Sequence, residues 1–448
     1  MSDKRPNIIF LFSDQQRWDT CGCYGQKLDI TPNLDRMARD GVKFEHAYTC
    51  QPVCGPARAC IQTGKYATEV GCHTNHRMLP IDENTIAKTL NGEGYETAYI
   101  GKWHLASYGP QGGADDFRVL PVPTERRGGY KDYWLASDTL EFTSHSYDGH
   151  MFDGDGNKRE FPEGRYRVDA QTDWVIEYLE QHRKSEPFFL FVSYIEPHHQ
   201  NDHNQYEGPK GSKERFKDYE VPADLADHKG DWRENYPDYL GCIQSLDENV
   251  GRIRDALERL GLDDNTLVIY TSDHGSHFRT RNAEYKRSCH DGCIRIPFIA
   301  QGPGFEGGKA PSELVSLIDA PSTILRAAGV TPPPSMKGRA LQDLMAGPEN
   351  WREEVFLQIS ESHCGRAIRT DKWKYSVRAP DKTGRDPDSE VYVEDFLYDL
   401  EADPHEQNNL VADPDYAAVR ANLKERLKKN MIAAGEKEPR IDPAPAAD

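Results

Sequence analysis

Apolar runs that end abruptly in polar residues recur along this chain, and each is flanked by a helical pattern. The runs are "NIIFLFSD" from residue 7, "ETAYIGKWH" from 96, "FFLFVSYI" from 188 and "TLVIYTSD" from 266. A strand that is apolar along its whole length is buried on both faces, as in parallel sheets. The alternation with helices therefore predicts an α/β fold, in which a large mixed, mainly parallel sheet is sandwiched by helices.

Polar side chains that could bind a ligand or take part in a reaction come just after these runs. They are Asp14, Lys102, His104, His198, Asp273 and His274. In open α/β sheets, ligands bind beyond the carboxyl ends of the strands. The sequence therefore predicts that these four separate segments meet at one functional site.

The pattern changes twice along the chain. Residues 105–165 are rich in Gly, Asp, Tyr and Arg, which predicts an irregular insertion over the mouth of the site. Beyond residue 350, the runs "EVFLQIS", "CGRAIRTDKWKYSV" and "EDFLYDLEADP" predict antiparallel strands, followed by a helix over about 415–433 and a mobile tail. We therefore expect a catalytic α/β domain over 1–350 and a smaller C-terminal α+β domain with an antiparallel sheet over 351–448.

Composition narrows the class of partner. The chain has 448 residues, of which 37% are hydrophobic and 29% charged, and its net charge is −19. That charge argues against nucleic acid and anionic membrane as partners. No apolar run approaches the roughly 20 residues of a membrane helix. The N-terminal sequence does not look like a signal peptide, so we expect a cytoplasmic protein, or a periplasmic or secreted one if a leader has been removed.

The stretch "PVCGPARACIQTGKY", residues 52–66, places Cys54 and Cys60 on either side of a Gly-Pro-Ala-Arg run. Cys50 precedes it and Cys72 follows it. The spacing lacks the paired CxxC pattern of zinc knuckles, and reduced thiols are the expected state of most cysteines in a cytoplasmic protein. A disulfide, a metal site and a chemically used sulfur all remain open at this point.

The order of several short motifs resembles a type I sulfatase of the alkaline phosphatase superfamily. Residues 54–58, "CGPAR", fit the family signature Cys-x-Pro-x-Arg and are followed by "TGKY". "SDQQ", "GKWH", "PHH" and "SDHG" then follow successive strands, before Lys286 and "IRIP". The resemblance covers essentially the whole chain. It implies hydrolysis of sulfate esters, with a sulfated saccharide as the expected substrate.

Two other functions remain as alternatives. A phosphonate monoester hydrolase or phosphodiesterase of the same superfamily would use the same nucleophile with a different charge preference. A glycan-binding protein without activity would have lost part of the motif series, and none of it is lost.

In the resembled family, the signature cysteine is converted by a formylglycine-generating enzyme to Cα-formylglycine, whose hydrate is the nucleophile. The resemblance gives that role to Cys54 and leaves Cys50, Cys60 and Cys72 as structural thiols. A hydrated aldehyde suits the reaction because one hydroxyl attacks and the other later releases the product.

The resemblance also implies a metal site. Its ligands would be Asp14, Gln15, Cys54, Asp273 and His274. Oxygen-rich ligation favours Ca²⁺. Gln15 stands where many members have a second Asp, and His274 where many have Asn. These departures leave Mn²⁺ and Mg²⁺ as alternatives, with zinc also better tolerated by the imidazole.

The remaining catalytic roles are implied in the same way. Arg58 would hold the nucleophile, and Lys102 and Lys286 would neutralise sulfate oxygens. His198 would donate a proton to the leaving alcohol, and His104 would remove the proton that releases the product.

Substrate contacts are expected from polar residues in less regular segments, and these suit a polar sugar. The candidates are His76, Arg77, His145, His277, Arg279 and Arg281. His290 and Asp291, in "CHDGC", are either structural replacements or substrate contacts, and the sequence does not decide between them.

Overall fold

A ten-stranded mixed sheet forms the centre of the computed structural model, which describes residues 5–107, 115–181 and 186–445. The strands of its main path, in spatial order, are Val42–Lys43, Phe298–Gln301, Thr266–Ser272, Asn7–Ser13, Phe188–Ser193, Glu96–Lys102, Tyr133–Ser137, Asp148–Asp153 and Ser144–His145. The strands from Thr266–Ser272 to Tyr133–Ser137 run parallel. The prediction of a mainly parallel α/β sheet is confirmed.

Both faces of this sheet are buried, as the apolar runs predict. In the central strand Asn7–Ser13, Ile8 and Phe10 belong to one hydrophobic cluster, whereas Ile9 and Leu11 belong to another. The two clusters lie on opposite faces because successive side chains of a strand alternate. Helices on each side supply the rest of the two cores.

Helices longer than a single turn cover the sheet or lie beyond it. They are Pro32–Asp40, Cys54–Thr63, Ile86–Gly92, Arg167–Gln181, Trp232–Leu260, Asp319–Ala327, Leu341–Met345 and Ala417–Ala433. Shorter α-helical turns are Leu140–Thr143, Ser212–Arg215, Ala223–Ala226 and Asp291–Ile294. Within the described residues, no helix combines the length and the apolar character that a membrane span requires.

The predicted insertion over 105–165 is more regular than expected. Tyr133–Ser137 is a buried parallel strand beside Glu96–Lys102, and Asp148–Asp153 extends the sheet with Lys158–Glu160 at its side. The expectation of an irregular segment is therefore wrong for these strands, which do not stand out in the sequence because Tyr133–Ser137 is short and Asp148–Asp153 and Lys158–Glu160 are mostly polar. Residues 108–114 of the insertion lie outside the described part.

The C-terminal region forms a second sheet of five strands. These are Glu354–Ile359, Gly365–Thr370, Trp373–Arg378, Val391–Asp399 and Arg440–Asp442. The first four are antiparallel, as predicted, but Arg440–Asp442 pairs in parallel with Val391–Asp399. The prediction of a mobile tail is thus wrong for Arg440–Asp442, and residues 446–448 lie outside the described part. Leu314–Ser316 and His46–Tyr48 form a separate two-stranded sheet, and Leu314 and Tyr48 pack against residues of the C-terminal sheet.

A buried ion cluster ties the C-terminal sheet to the segment that follows the central strands. The Lys374 ammonium bonds both Asp291 and Glu406, and the Asp291 backbone N–H donates to Glu406 Oε2 at 2.7 Å. The neighbouring His290 bonds the Tyr398 hydroxyl at 3.1 Å. His290 and Asp291, undecided from the sequence, therefore serve as structural residues of this joint.

Candidate active site

The parallel register brings the predicted site residues to one edge of the sheet. Asn7–Ser13 lies between Thr266–Ser272 and Phe188–Ser193, with Ser13 directly opposite Ser272. The polar residues after these strands therefore emerge side by side. Helix Cys54–Thr63 begins at the same edge, and its buried first residue is Cys54.

The sulfur of Cys54 is the meeting point of the site. Lys286 Nζ donates to Cys54 Sγ at 2.7 Å, and Cys54 Sγ donates to Asp14 Oδ1 at 3.4 Å. His274 Nε2 also lies 3.4 Å from the sulfur. Burial raises the pKa of the Cys54 thiol to about 12, with the nearby Asp14 carboxylate adding to the effect. The unmodified sulfur is therefore a protonated thiol, which is a poor nucleophile.

A metal-binding group surrounds this sulfur. Ligand atoms of Asp14, Cys54, Asp273 and His274 all lie within 4.8 Å of one another. Gln15 Oε1 and Asp273 Oδ2 are buried, and neither has a hydrogen-bond partner within the described residues. Buried oxygens are normally bonded, so these two acceptors are suited to a cation. The set of mostly oxygen donors with one imidazole fits a hard or borderline divalent ion.

The two carboxylates of this group are held in different states. Burial opposes ionisation of Asp14, but the cations Lys102, Arg58 and Lys286 outweigh it and hold the Asp14 pKa well below its usual range. Burial, reinforced by the Asp14 charge, raises the pKa of Asp273 to about 7. A divalent cation would favour the ionised form of both carboxylates.

Two predicted cations brace the Asp14 side of the site. Arg58 Nη2 lies 3.1 Å and Lys102 Nζ 2.9 Å from Asp14 Oδ2. Lys102 also donates to Glu141 Oε1 at 3.1 Å, and Arg58 Nη1 donates to Ser193 Oγ at 2.7 Å. Both cations are thus fixed by buried partners before any ligand binds.

Glu141 and Ser193 are site residues that the sequence reasoning missed. Ser193 is the first polar residue after the run "FFLFV", so the rule that found Asp14 and Asp273 could have found it. Glu141 lies inside the supposed insertion, and no sequence pattern marks it.

The two histidines assigned to proton transfer have free ring positions. Neither ring nitrogen of His104 has a bonding partner within the described chain, and His198 Nδ1 has none either. His198 Nε2 lies 3.3 Å from Lys286 Nζ. Burial, followed by the charge of Lys102, lowers the pKa of both histidines well below the usual range. Both rings are therefore neutral in the free protein.

The predicted substrate residues fall into separate places. His76 and Arg77 line a cavity of about 500 Å³ beside the site. Arg279 lies at the surface and donates to Asn204 Oδ1 at 2.9 Å. His277 and Arg281 instead bond backbone carbonyls and so fix neighbouring loops. His277 Nε2 bonds the Lys286 carbonyl, and Arg281 donates to the carbonyls of residues 405 and 406.

His145 lies at the surface between two carboxylates. Its Nδ1 is 3.1 Å from Asp148 and its Nε2 is 2.9 Å from Asp202, while its ring stacks on His203 at 4.5 Å. His145, Asp202 and His203 place potential metal ligands close together. The two rings are nearly parallel, at 9°, so their in-plane lone pairs do not converge on one ion.

Comparison with known proteins matches residues 6–330 to the family described as Sulfatase, and residues 283–433 to the family described as N-sulphoglucosamine sulphohydrolase, C-terminal. The Ulvan-active sulfatase of Formosa agariphila is 30% identical over 453 residues, covering 96% of this chain and 82% of that protein. The N-acetylglucosamine-6-O-sulfatase of Bacteroides thetaiotaomicron is 28% identical over 518 residues, covering 97% and 88%.

Solved structures resemble the whole chain as well. One, a protein in complex with its substrate D-glucosamine-2-N,6-O-disulfate, is 26% identical with a TM-score of 0.78. The match covers 97% of this chain and 99% of that one. The fold described above is therefore shared from end to end.

Proposed function

Because the chain belongs to the sulfatase family of sulfuric ester hydrolases, we propose that it removes sulfate from a sulfated saccharide with a formylglycine derived from Cys54 and a bound divalent cation. Ca²⁺ is the proposed ion, since oxygen atoms dominate the donor set. The saccharide class is supported by the similar proteins, one named as an ulvan-active sulfatase and the other as an N-acetylglucosamine-6-O-sulfatase.

One observation carries the proposal: the side chain of Cys54 ends among cations and potential metal ligands. Its sulfur lies 2.7 Å from Lys286 Nζ and 3.4 Å from both Asp14 Oδ1 and His274 Nε2. It also begins helix Cys54–Thr63, whose positive end favours a nearby anion. A sulfate beside this position would therefore meet positive charge on several sides.

The formylglycine and the metal ion would have one part in the reaction, and the other side chains of the site would have another. A formylglycine hydrate supplies a hydroxyl nucleophile, and a divalent cation supplies charge neutralisation beside it. Lys102 and Lys286 stabilise negative charge that grows on the sulfate oxygens, because both are buried and already oriented. Arg58 keeps Asp14 in place through its 3.1 Å contact.

Proton movements fall to the two neutral histidines. An arriving sulfate offsets the charges of Lys102 and Lys286, which favours a proton on His198. His198 can then donate that proton to the leaving oxygen. His104, with both ring nitrogens unpartnered within the described residues, can accept a proton during product release.

A phosphonate monoester hydrolase or phosphodiesterase is the second candidate. It is favoured by Gln15 and His274, because Gln15 leaves the metal group one carboxylate poorer than the family members that have Asp there and Asn at 274. A metal group with less negative charge changes which substrate charge the site prefers.

The deciding experiment compares kcat/KM on a sulfate monoester and a phosphate diester, using protein co-expressed with a formylglycine-generating enzyme. Mass spectrometry of the Cys54 peptide verifies conversion. We expect faster sulfate cleavage, and its loss in Cys54→Ala. Cys60→Ala, which removes a buried thiol elsewhere on the same helix, is the control and retains the activity. Faster diester cleavage, or full turnover by Cys54→Ala, would contradict the proposal.

The metal is tested without turnover. Chelation followed by addition of Ca²⁺, Mn²⁺ or Mg²⁺ is monitored by thermal melting, because an ion that binds only the folded protein raises Tm. We expect the largest rise with Ca²⁺ and none in Asp14→Asn. If none of the three ions raises Tm, the proposed metal site is excluded.

A further inference from the structure

A polar cavity of about 500 Å³ opens beside the active site. Two contacts and one chain neighbour connect its walls to the catalytic residues. Asn75 Oδ1 accepts from the backbone N–H of Gly55, the neighbour of Cys54, at 2.9 Å. The ring of His76 lies 5.8 Å from that of His104. The cavity residue Arg287 directly follows Lys286 in the chain.

Positive charge dominates this cavity although the chain as a whole carries −19. Arg77, Arg287 and Arg385 line it, against the single carboxylate of Glu361. Arg287 is already neutralised, since its guanidinium pairs with Glu361 at 2.5 Å and with Glu284 at 3.2 Å. The uncompensated charge is therefore that of Arg77 and Arg385.

These two arginines keep most of their donors unused. Arg77 donates from Nε to Thr74 Oγ1 at 3.1 Å, and its two Nη atoms bond nothing within the described residues. The guanidinium of Arg385 likewise has no bonded or paired group in the described ranges 5–107, 115–181 and 186–445. Guanidinium groups bind planar or tetrahedral oxyanions through paired N–H donors. Two of them facing one cavity form a receptor for such a group.

The loop that carries Arg385 is fixed by its backbone. Its carbonyl oxygen bonds His73 Nε2 at 3.1 Å, and the preceding Gly384 carbonyl accepts from the Glu361 N–H at 2.7 Å. Glu361 Oε1 in turn accepts from the Asn75 N–H at 2.6 Å. The C-terminal sheet thus presents Arg385 to a cavity whose opposite wall belongs to the catalytic region.

We infer that this cavity binds a second anionic group of the substrate, a carboxylate or a second sulfate next to the sulfate being removed, through Arg77 and Arg385. The inference rests on the proposed saccharide sulfatase function and narrows it. The preferred substrate is then a doubly charged saccharide, and the C-terminal sheet takes part in choosing it.

The test measures kcat/KM on paired substrates that differ by one charge. One pair is N-acetyl-D-glucosamine-6-O-sulfate and D-glucosamine-2-N,6-O-disulfate, and the other is a monosulfated uronate disaccharide and its methyl ester. Arg77→Ala and Arg385→Ala are compared with Lys382→Ala, which removes a cation exposed in the same loop but outside the cavity lining. The pair with the larger response identifies the second group as sulfate or carboxylate.

We expect each arginine variant to lower kcat/KM by about tenfold on the doubly charged member of one pair, the effect of losing a charge-assisted hydrogen bond. Its partner lacking that charge changes by less than about twofold, and Lys382→Ala changes neither. Equal losses on both members of each pair, or no loss, would overturn the inference.

Binding separates this inference from the proposed function. Calorimetry with Cys54→Ala protein measures affinity for the same pairs without turnover. If sulfate cleavage is absent but the arginines still discriminate between the paired ligands, the proposed reaction fails and the anion site stands. If replacing Arg77 or Arg385 leaves the affinity for both ligands of each pair unchanged, the inferred anion site is wrong, whether or not the protein cleaves sulfate.

Discussion

Lys102 illustrates how single residues are prepared for this site. Its ammonium is wholly buried, yet it lies 2.9 Å from Asp14 and 3.1 Å from Glu141. Burial alone would lower its pKa, but the two carboxylates outweigh it and raise the value. Lys102 is therefore charged at neutral pH.

Glu141→Gln tests this arrangement at the residue scale. Loss of one carboxylate leaves the buried ammonium with half its compensation, so the free energy of unfolding should fall by about 1–3 kcal/mol. A less well held Lys102 should also lower kcat by about tenfold. Urea unfolding and steady-state kinetics measure the two effects. Glu160→Gln, on an exposed position of Lys158–Glu160, serves as control; a variant at 141 that behaves like this control would remove Glu141 from the site.

At the scale of elements, the strands were predictable and the insertion was not. The central strands can be recognised because they are apolar along most of their length. The predicted run "NIIFLFSD" contains the strand Asn7–Ser13, in which every residue after Asn7 is buried. The strand Tyr133–Ser137 is short and follows a polar stretch, so its place in the sheet depends on a neighbour distant in sequence. For the same reason the sequence could suggest Arg77 but not Arg385, which a loop of the second sheet brings to the cavity.

Close strand packing depends on one glycine. Gly101 has φ +117°, and a Cβ at this position would lie 1.9 Å from the Ser193 carbonyl oxygen on the adjacent strand. Lys102 follows it directly, and Ser193 is the partner of Arg58. Gly101 therefore sets the spacing of two strands whose ends build the site.

Gly101→Ala should destabilise the protein by about 3 kcal/mol or more, because steric overlap and backbone strain add. Thermal and urea unfolding measure this loss. Gly92→Ala is the matched control: a Cβ there meets nothing within 4 Å, and the change should be neutral or stabilising by about 0.5–1 kcal/mol. Equal stability of the two variants would mean that the strands can separate without cost.

At the scale of the whole molecule, the joint between the two sheets is an ionic one. Burial raises the pKa of Glu406 from 4.5 to about 7, with Asp291 adding to the rise and Lys374 opposing it. The folded protein therefore holds a proton on Glu406 that the unfolded chain releases near pH 4.5. Its stability must fall as pH rises from about 4.5 to about 7.

Glu406→Gln should remove this dependence, because an amide does not titrate. We expect the free energy of unfolding of the natural protein to fall by about 1–3 kcal/mol between pH 5 and pH 7 from this group. The variant should show a correspondingly flatter profile in urea titrations at the two pH values. Glu401→Gln, at an exposed position nearby, should keep the original slope. Parallel profiles for all three proteins would exclude Glu406 as the source.

The depth at which Cys54 lies has a consequence for the order of events in the cell. Its side chain is 1% exposed, and every residue of helix Cys54–Thr63 is buried. On the proposed chemistry, a modifying enzyme cannot reach this sulfur in the finished fold. Conversion of Cys54 and folding of the chain therefore compete in time. A chain whose Cys54 is converted before folding becomes active, whereas a chain that folds first keeps a buried, unconverted thiol until it unfolds again.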